Sequence, residues 1–106
     1  MNDREILRSS YPELMKTDFR ALLVFVVVLD TGSLSRAARL LGCSHSAISV
    51  SLKRVRDGSG RRLFLREGRE LVPTAAAEML GLEVRNGFSQ LCSVMVQHDL
   101  HCERGK

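Results

Sequence analysis

No stretch of this sequence is apolar for long enough to cross a bilayer. The longest run, Ala21 to Leu29 (ALLVFVVVL), has nine residues, and a helical span needs about 20. The first residues, MNDREILRSSYPELMK, lack the apolar centre of a secretory signal. Cysteine is scarce: there are three, an odd number without disulfide spacing, which speaks against a secreted, disulfide-stapled domain and for a reducing compartment. The expected protein is soluble and cytoplasmic, with no membrane partner. Internal repeats and low-complexity segments are also missing. At 106 residues the chain is one small domain, and its 16 Lys and Arg against 12 Asp and Glu leave a formal charge of +4. The excess is concentrated. Lys53, Arg54, Arg56, Arg61, Arg62, Arg66 and Arg69 are opposed within that span only by Asp57 and Glu67. Such a run is either a solvated face or a surface for a polyanion, and its place in the fold decides between them.

Leading into that run is SLSRAARLLGCSHSAISVSLKRV, residues 33–55. Leu34, Ala37, Ala38 and Leu41 fall at i, i+3, i+4 and i+7, an apolar stripe at helical spacing. Gly42 offers the left-handed conformation that ends a helix. Ser44 is a good N-cap, and Ile48, Leu52 and Val55 resume the stripe. Two helices joined by a short turn containing Gly predict a helix-turn-helix unit. Basic residues directly after its second helix favour nucleic acid as the polyanion.

The rest of the chain divides around this unit. Residues 1–17 are polar, contain Pro12 and read as an arm with partial helical character. Asp18 can cap a helix to about Asp30, stopped by Thr31-Gly32. The β-branched residues of Val24–Leu29 also suit a buried strand, but the segment's length and its run into another helix favour helix. Beyond Val55, RDGSGRR carries Gly58 and Gly60 and is expected to form a loop. Two short apolar runs, Leu63–Leu65 and Leu71–Val72, flank Glu67-Gly68 and predict a small hairpin. Thr74 can cap a last helix over 75–97, ahead of a tail at 98–106. In that helix Ala77, Leu80, Val84, Phe88, Leu91 and Met95 follow one another at spacings of 3, 4, 4, 3 and 4. This stripe is longer than one small domain can cover, so Leu80, Val84, Phe88, Leu91 and Met95 are expected to form a dimer surface. Gly81 and Gly87 should each weaken the helix by roughly 1 kcal/mol relative to Ala.

At about 100° per residue, Ser46, Val50, Lys53 and Arg54 lie opposite the buried side of the second motif helix. A helix seated in the major groove would present that face to base edges and phosphates. Lys53 and Arg54 can neutralise phosphates or reach guanine, while Ser44, Ser46 and Ser49 are placed to bond bases or backbone. His45 is either a base or phosphate contact or a solvated surface group. Val50 either packs on a thymine methyl or flanks the core. Ser33 is at least a cap, and it can also aim backbone N–H groups at a phosphate. Cys43, in the turn, reads as a buried reduced thiol. His98, His101 and Cys102 could seed a zinc site, but no second ligand cluster faces them, so no metal or other cofactor is expected. His45 has neither a carboxylate partner nor an oxyanion-hole motif, which argues against an enzyme.

The order helix, helix-turn-helix, hairpin, long helix resembles the N-terminal winged-helix domain of LysR-type bacterial transcription regulators. The likeness covers residues 18 to 96 and rests on specific stretches. These are Gly32-Ser33 with Ala37, Ala38 and Leu41, Ala47-Ile48-Ser49, Leu63-Phe64 with Arg66, and Pro73-Thr74. The resemblance implies a mostly α fold, with a winged helix-turn-helix at 18–74 and a long linker and dimerisation helix after it. It also implies sequence-specific binding of double-stranded DNA at a partly palindromic operator, by a homodimer or a higher oligomer in a full-length form. In a winged helix the hairpin turn, here bracketed by Arg66 and Arg69, reaches the adjacent minor groove. The alternatives are a short stand-alone DNA binder that pairs or competes with full-length regulators, and a winged-helix protein-interaction module. Three departures from the family pattern stand out. His45-Ser46 replaces the usual Gln-Pro, and Val50 replaces a long polar or basic residue. The Glu-rich stretch becomes Val55-Arg-Asp-Gly-Ser-Gly60, with Ser59 at a normally apolar position. Family members also carry an effector-binding domain after this segment.

Overall fold

The computed structural model describes residues 2–68 and 70–100. Among these, five helices and one two-stranded hairpin follow one another as α1 Asp3–Lys16, α2 Phe19–Thr31, α3 Leu34–Leu41, α4 His45–Ser59, β1 Phe64–Glu67, β2 Glu70–Pro73 and α5 Ala75–His98. None of these helices is long and apolar enough to cross a membrane.

Residues expected to form a polar arm make a single helix, α1. Its start is closed by a reciprocal cap in which the Glu5 amide donates to Asn2 Oδ1 at 2.8 Å and the Asn2 amide donates to Glu5 Oε1 at 3.1 Å. Pro12 removes one amide from the ladder without ending it. No residue of α1 is buried.

Helix α2 is the centre of the molecule. Asp18 caps it by accepting from the Ala21 amide at 3.0 Å, and Gly32, at φ 67°, ends it. The β-branched run that also suited a strand is helical because α2 is covered on several sides, by α3, α4 and α5. Side-chain burial there outweighs the modest propensity cost of the valines. Two apolar clusters share the helix. Ala21, Phe25 and Val26 join Val55, Leu63 and Ala77, while Val24 and Val28 join Ala37 and Ile48. Phe25 is fully buried and meets Phe64 edge-on with ring centroids 5.9 Å apart, which ties the wing to the core. Cys43 is a free, half-buried thiol against the second cluster.

The helix-turn-helix forms as its residues dictate. Ser33 Oγ accepts from the Arg36 amide at 3.2 Å, Gly42 ends α3 at φ 66°, and Ser44 Oγ accepts from the Ala47 amide at 3.1 Å. One expectation needs correcting. The loop placed after Val55 begins only at Gly60, because α4 continues through Ser59 with Gly58 inside it. Gly58 costs the helix about 1 kcal/mol, but the left-handed residue that stops it is Gly60, at φ 70°. The Ser59 hydroxyl then donates to the Arg56 carbonyl and accepts from the Arg61 amide, both at 3.1 Å.

The hairpin is antiparallel, pairing Phe64 with Pro73, Leu65 with Val72, Arg66 with Leu71 and Glu67 with Glu70. Thr74 anchors its base: the hydroxyl donates to the Arg62 carbonyl at 2.8 Å and accepts from the Ala77 amide at 3.2 Å, capping α5. Gly81 lets α5 lie close on α2, since a Cβ there would overlap the Leu29 Cδ2 methyl and touch Phe25. Gly87 faces open space. The two glycines, equal by propensity, should therefore respond oppositely to alanine. Gly87→Ala is expected to raise the unfolding free energy by about 0.5–1 kcal/mol. Gly81→Ala is expected to lower it by about 1 kcal/mol, overpacking outweighing propensity. Urea denaturation of both variants measures this.

Candidate nucleic-acid interface

Helix α4 is buried on one side through Ile48 and Val55 and open on the other. Ser46, Ser49, Val50, Lys53 and Arg54 are all exposed, Val50 to 50%. This exposed valine is an apolar spot in a polar face. At the start of the helix, His45 Nε2 lies 3.4 Å from Ser35 Oγ, which links the first turns of α3 and α4. The hydroxyls of Ser44 and Ser46 are 3.3 Å apart. Ser33 and Ser44 both act as helix caps, so each has a structural task whatever else it binds.

Lys53 and Arg54 are neighbours in sequence but point to different sides. Lys53 Nζ sits 3.6 Å from Asp57 Oδ2, one turn on, in an exposed pair. Arg54 turns back to the capping residue of the core helix, its Nη1 donating to Asp18 Oδ2 at 2.7 Å. The Ala21 amide first, and the Arg54 guanidinium second, hold the Asp18 carboxyl below its usual pKa. Arg54 thus borders the α2 end of the face while Lys53 borders the wing.

Between α4 and the hairpin runs an open cleft of about 440 Å³. Ser49, Lys53 and Arg66 line it together, with Leu52 and Phe64 among its apolar walls. The structure thus brings residues of the motif helix and of the wing to one surface. Arg56 and Arg62 also line this cleft, and sequence reasoning counted them only as part of the basic run. The sequence reading puts Arg56 in a loop; in the helix it falls one turn beyond Leu52 and two beyond Ser49, on this side. Arg69, His101 and Cys102 lie outside the described residues. His98 is exposed at the end of α5, and among the described residues no group of three His, Cys, Asp or Glu side chains is placed to hold a metal.

The stripe on α5 divides in two. Leu80, Val84 and Phe88 pack on this chain's own core. Beyond them, Leu91 is 54% and Val94 45% exposed, and Met95 is half-buried. Phe19, Leu22, Val84, Gly87, Phe88 and Leu91 line an apolar groove of about 290 Å³ between α2 and α5.

A helix-turn-helix packed on a central helix, with a hairpin wing fixed beside its second helix, defines a winged helix-turn-helix domain. Residues 19–78 match the bacterial regulatory helix-turn-helix protein, lysR family, and the chain belongs to that family. It is 44% identical over 66 residues to the HTH-type transcriptional regulator AceR of Acinetobacter baumannii, a match covering 62% of this chain and 22% of AceR. It is 34% identical over 96 residues to the HTH-type transcriptional regulator LeuO of Escherichia coli, covering 91% of this chain and 29% of LeuO. Among solved structures it is similar to the probable transcriptional regulator PA0477 from Pseudomonas aeruginosa, with a TM-score of 0.71 and 35% identity over 77% of this chain and 27% of that one. The chain therefore spans less than a third of the length of these relatives.

Proposed function

We propose that the chain binds double-stranded DNA as the recognition domain of a cytoplasmic transcription regulator and has no catalytic role. In this reading α4 lies in the major groove, the hairpin reaches toward the next minor groove, and two copies read a partly palindromic site. The observation that carries it is the exposed face of α4, which holds serines, two cations and one valine and continues through a basic cleft onto the wing. Phosphate contacts from Lys53 and Arg66 would position the helix, and Ser46, Ser49 and Val50 would face base edges. Membership of a family of regulatory helix-turn-helix proteins supports the same reading.

Selection of bound sequences from a random duplex pool tests it. The chain should enrich a site with two related half-sites about one helical turn apart, or a multiple of that. Val50→Ala should alter the preference at one base pair per half-site by about 1 kcal/mol, through loss of a thymine methyl contact. An unchanged consensus would reduce Val50 to a flank of the core. Failure to retain any duplex would leave the protein-interaction reading in its place.

A further inference from the structure

We propose that Arg56 and Arg62 jointly hold a single DNA backbone phosphate in the cleft between α4 and the wing, and that Asp57 is the counter-charge released when it binds. This deepens the DNA-binding reading and rests on it.

Among the described residues, four cations line the cleft, Lys53 and Arg56 from α4, Arg62 from the segment before β1, and Arg66 from β1, and no carboxylate does. All four are exposed, and together they give this opening a positive potential that favours an anion. The anion's chemistry follows from the neighbouring elements. A helix in the major groove and a hairpin directed at the adjoining minor groove straddle a sugar–phosphate strand, so that strand must cross the space between them. Arg56, from α4, and Arg62, from the segment that leads into β1, both line this space. A planar guanidinium presents paired N–H donors that match two phosphate oxygens, which a surface ammonium does not.

Without DNA, Arg56 has a partner on its own helix. Its Nε lies 3.3 Å from Asp57 Oδ1, and Lys53 Nζ lies 3.6 Å from Asp57 Oδ2. One carboxylate therefore restrains two cations that border the cleft. The pairs are well exposed, with side-chain accessibilities of 52% for Arg56 and 58% for Asp57, so they are weak enough to exchange for phosphate.

The test is fluorescence anisotropy of the full chain on a labelled random-sequence duplex, titrated across a salt series. Arg56→Gln and Arg62→Gln should each weaken binding about tenfold, equally on random and selected duplexes, and each should reduce the log–log salt slope by about one per bound copy. Because the phosphate is shared, the double variant should lose about one per copy rather than two. Arg56→Lys should restore the slope but only part of the affinity. Asp57→Asn should tighten binding several-fold. Thermal unfolding of each variant should match the wild type, since these side chains lie outside the core. A loss of about two per copy in the double variant would assign the arginines to separate phosphates and overturn the shared clamp. Unchanged slopes in variants of a wild type that itself binds steeply would overturn the clamp and leave the DNA-binding reading standing. A wild type that binds no duplex would overturn both.

Discussion

Replacing Leu91 and Val94 together with aspartate is expected to yield a folded monomer from a chain that otherwise dimerises at about tens of micromolar. One recognition helix covers too few base pairs for tight specific binding, so paired half-sites need a two-fold partner. The means lie on α5. Leu80, Val84 and Phe88 are occupied by this chain's own core, whereas Leu91 and Val94 remain about half exposed beside the apolar groove that Phe19 and Leu22 line. Burying each of the two free side chains in an interface would contribute roughly 1.5–3 kcal/mol. Their joint loss should raise the dissociation constant by about a hundredfold to ten-thousandfold. Sedimentation reads the mass and circular dichroism the fold. Val84→Asp is the contrasting variant. It puts a charge against α2 and should unfold the domain instead of separating copies. A Leu91/Val94 double variant that stays dimeric would move the partner surface elsewhere, with exposed apolar residues of α1 such as Leu7 and Tyr11 the next to examine.

Which parts of this fold could be read in the sequence follows from how local their causes are. Asp18, Ser33, Ser44 and Thr74 announce helix starts because a cap acts within three residues of itself. Gly32 and Gly42 announce helix ends for a similar reason, each supplying the left-handed residue the chain needs there. The same local logic misled at residues 56–59. Two glycines close together look like a loop, and only the structure shows that Gly58 is carried inside the helix while Gly60 stops it. That shift of one turn concealed Arg56. The hairpin was legible from its two apolar runs, though its strands start and end a residue or two away from those runs.

Long-range pairing left no such trace. Arg54 reaches Asp18 across 36 positions of sequence, and Arg85 of α5 reaches Asp30 at the end of α2. Periodicity shows that a side chain faces outward, but not which neighbour the fold delivers to it. The α5 stripe has the same limitation. Its apolar spacing is continuous from Ala77 to Met95, yet where self-packing ends and free surface begins depends on where α2 starts. The difference between Gly81 and Gly87 likewise comes from Leu29 lying against one and nothing lying against the other.

DNA binding by the face of α4 and the wing is tested most directly by the salt dependence of wild-type affinity for a duplex. Phosphate recognition by Lys and Arg displaces condensed counterions, so the logarithm of affinity falls linearly with the logarithm of salt. Among the described residues, Lys53, Arg56, Arg62 and Arg66 line the cleft of each copy, with Arg54 at the other border of the face. If roughly six phosphates are neutralised per dimer, affinity should fall about a thousandfold between about 50 and 200 mM salt. The fall should be equally steep on random sequence, because phosphates carry no base identity. An affinity that stayed level across that range would contradict the reading.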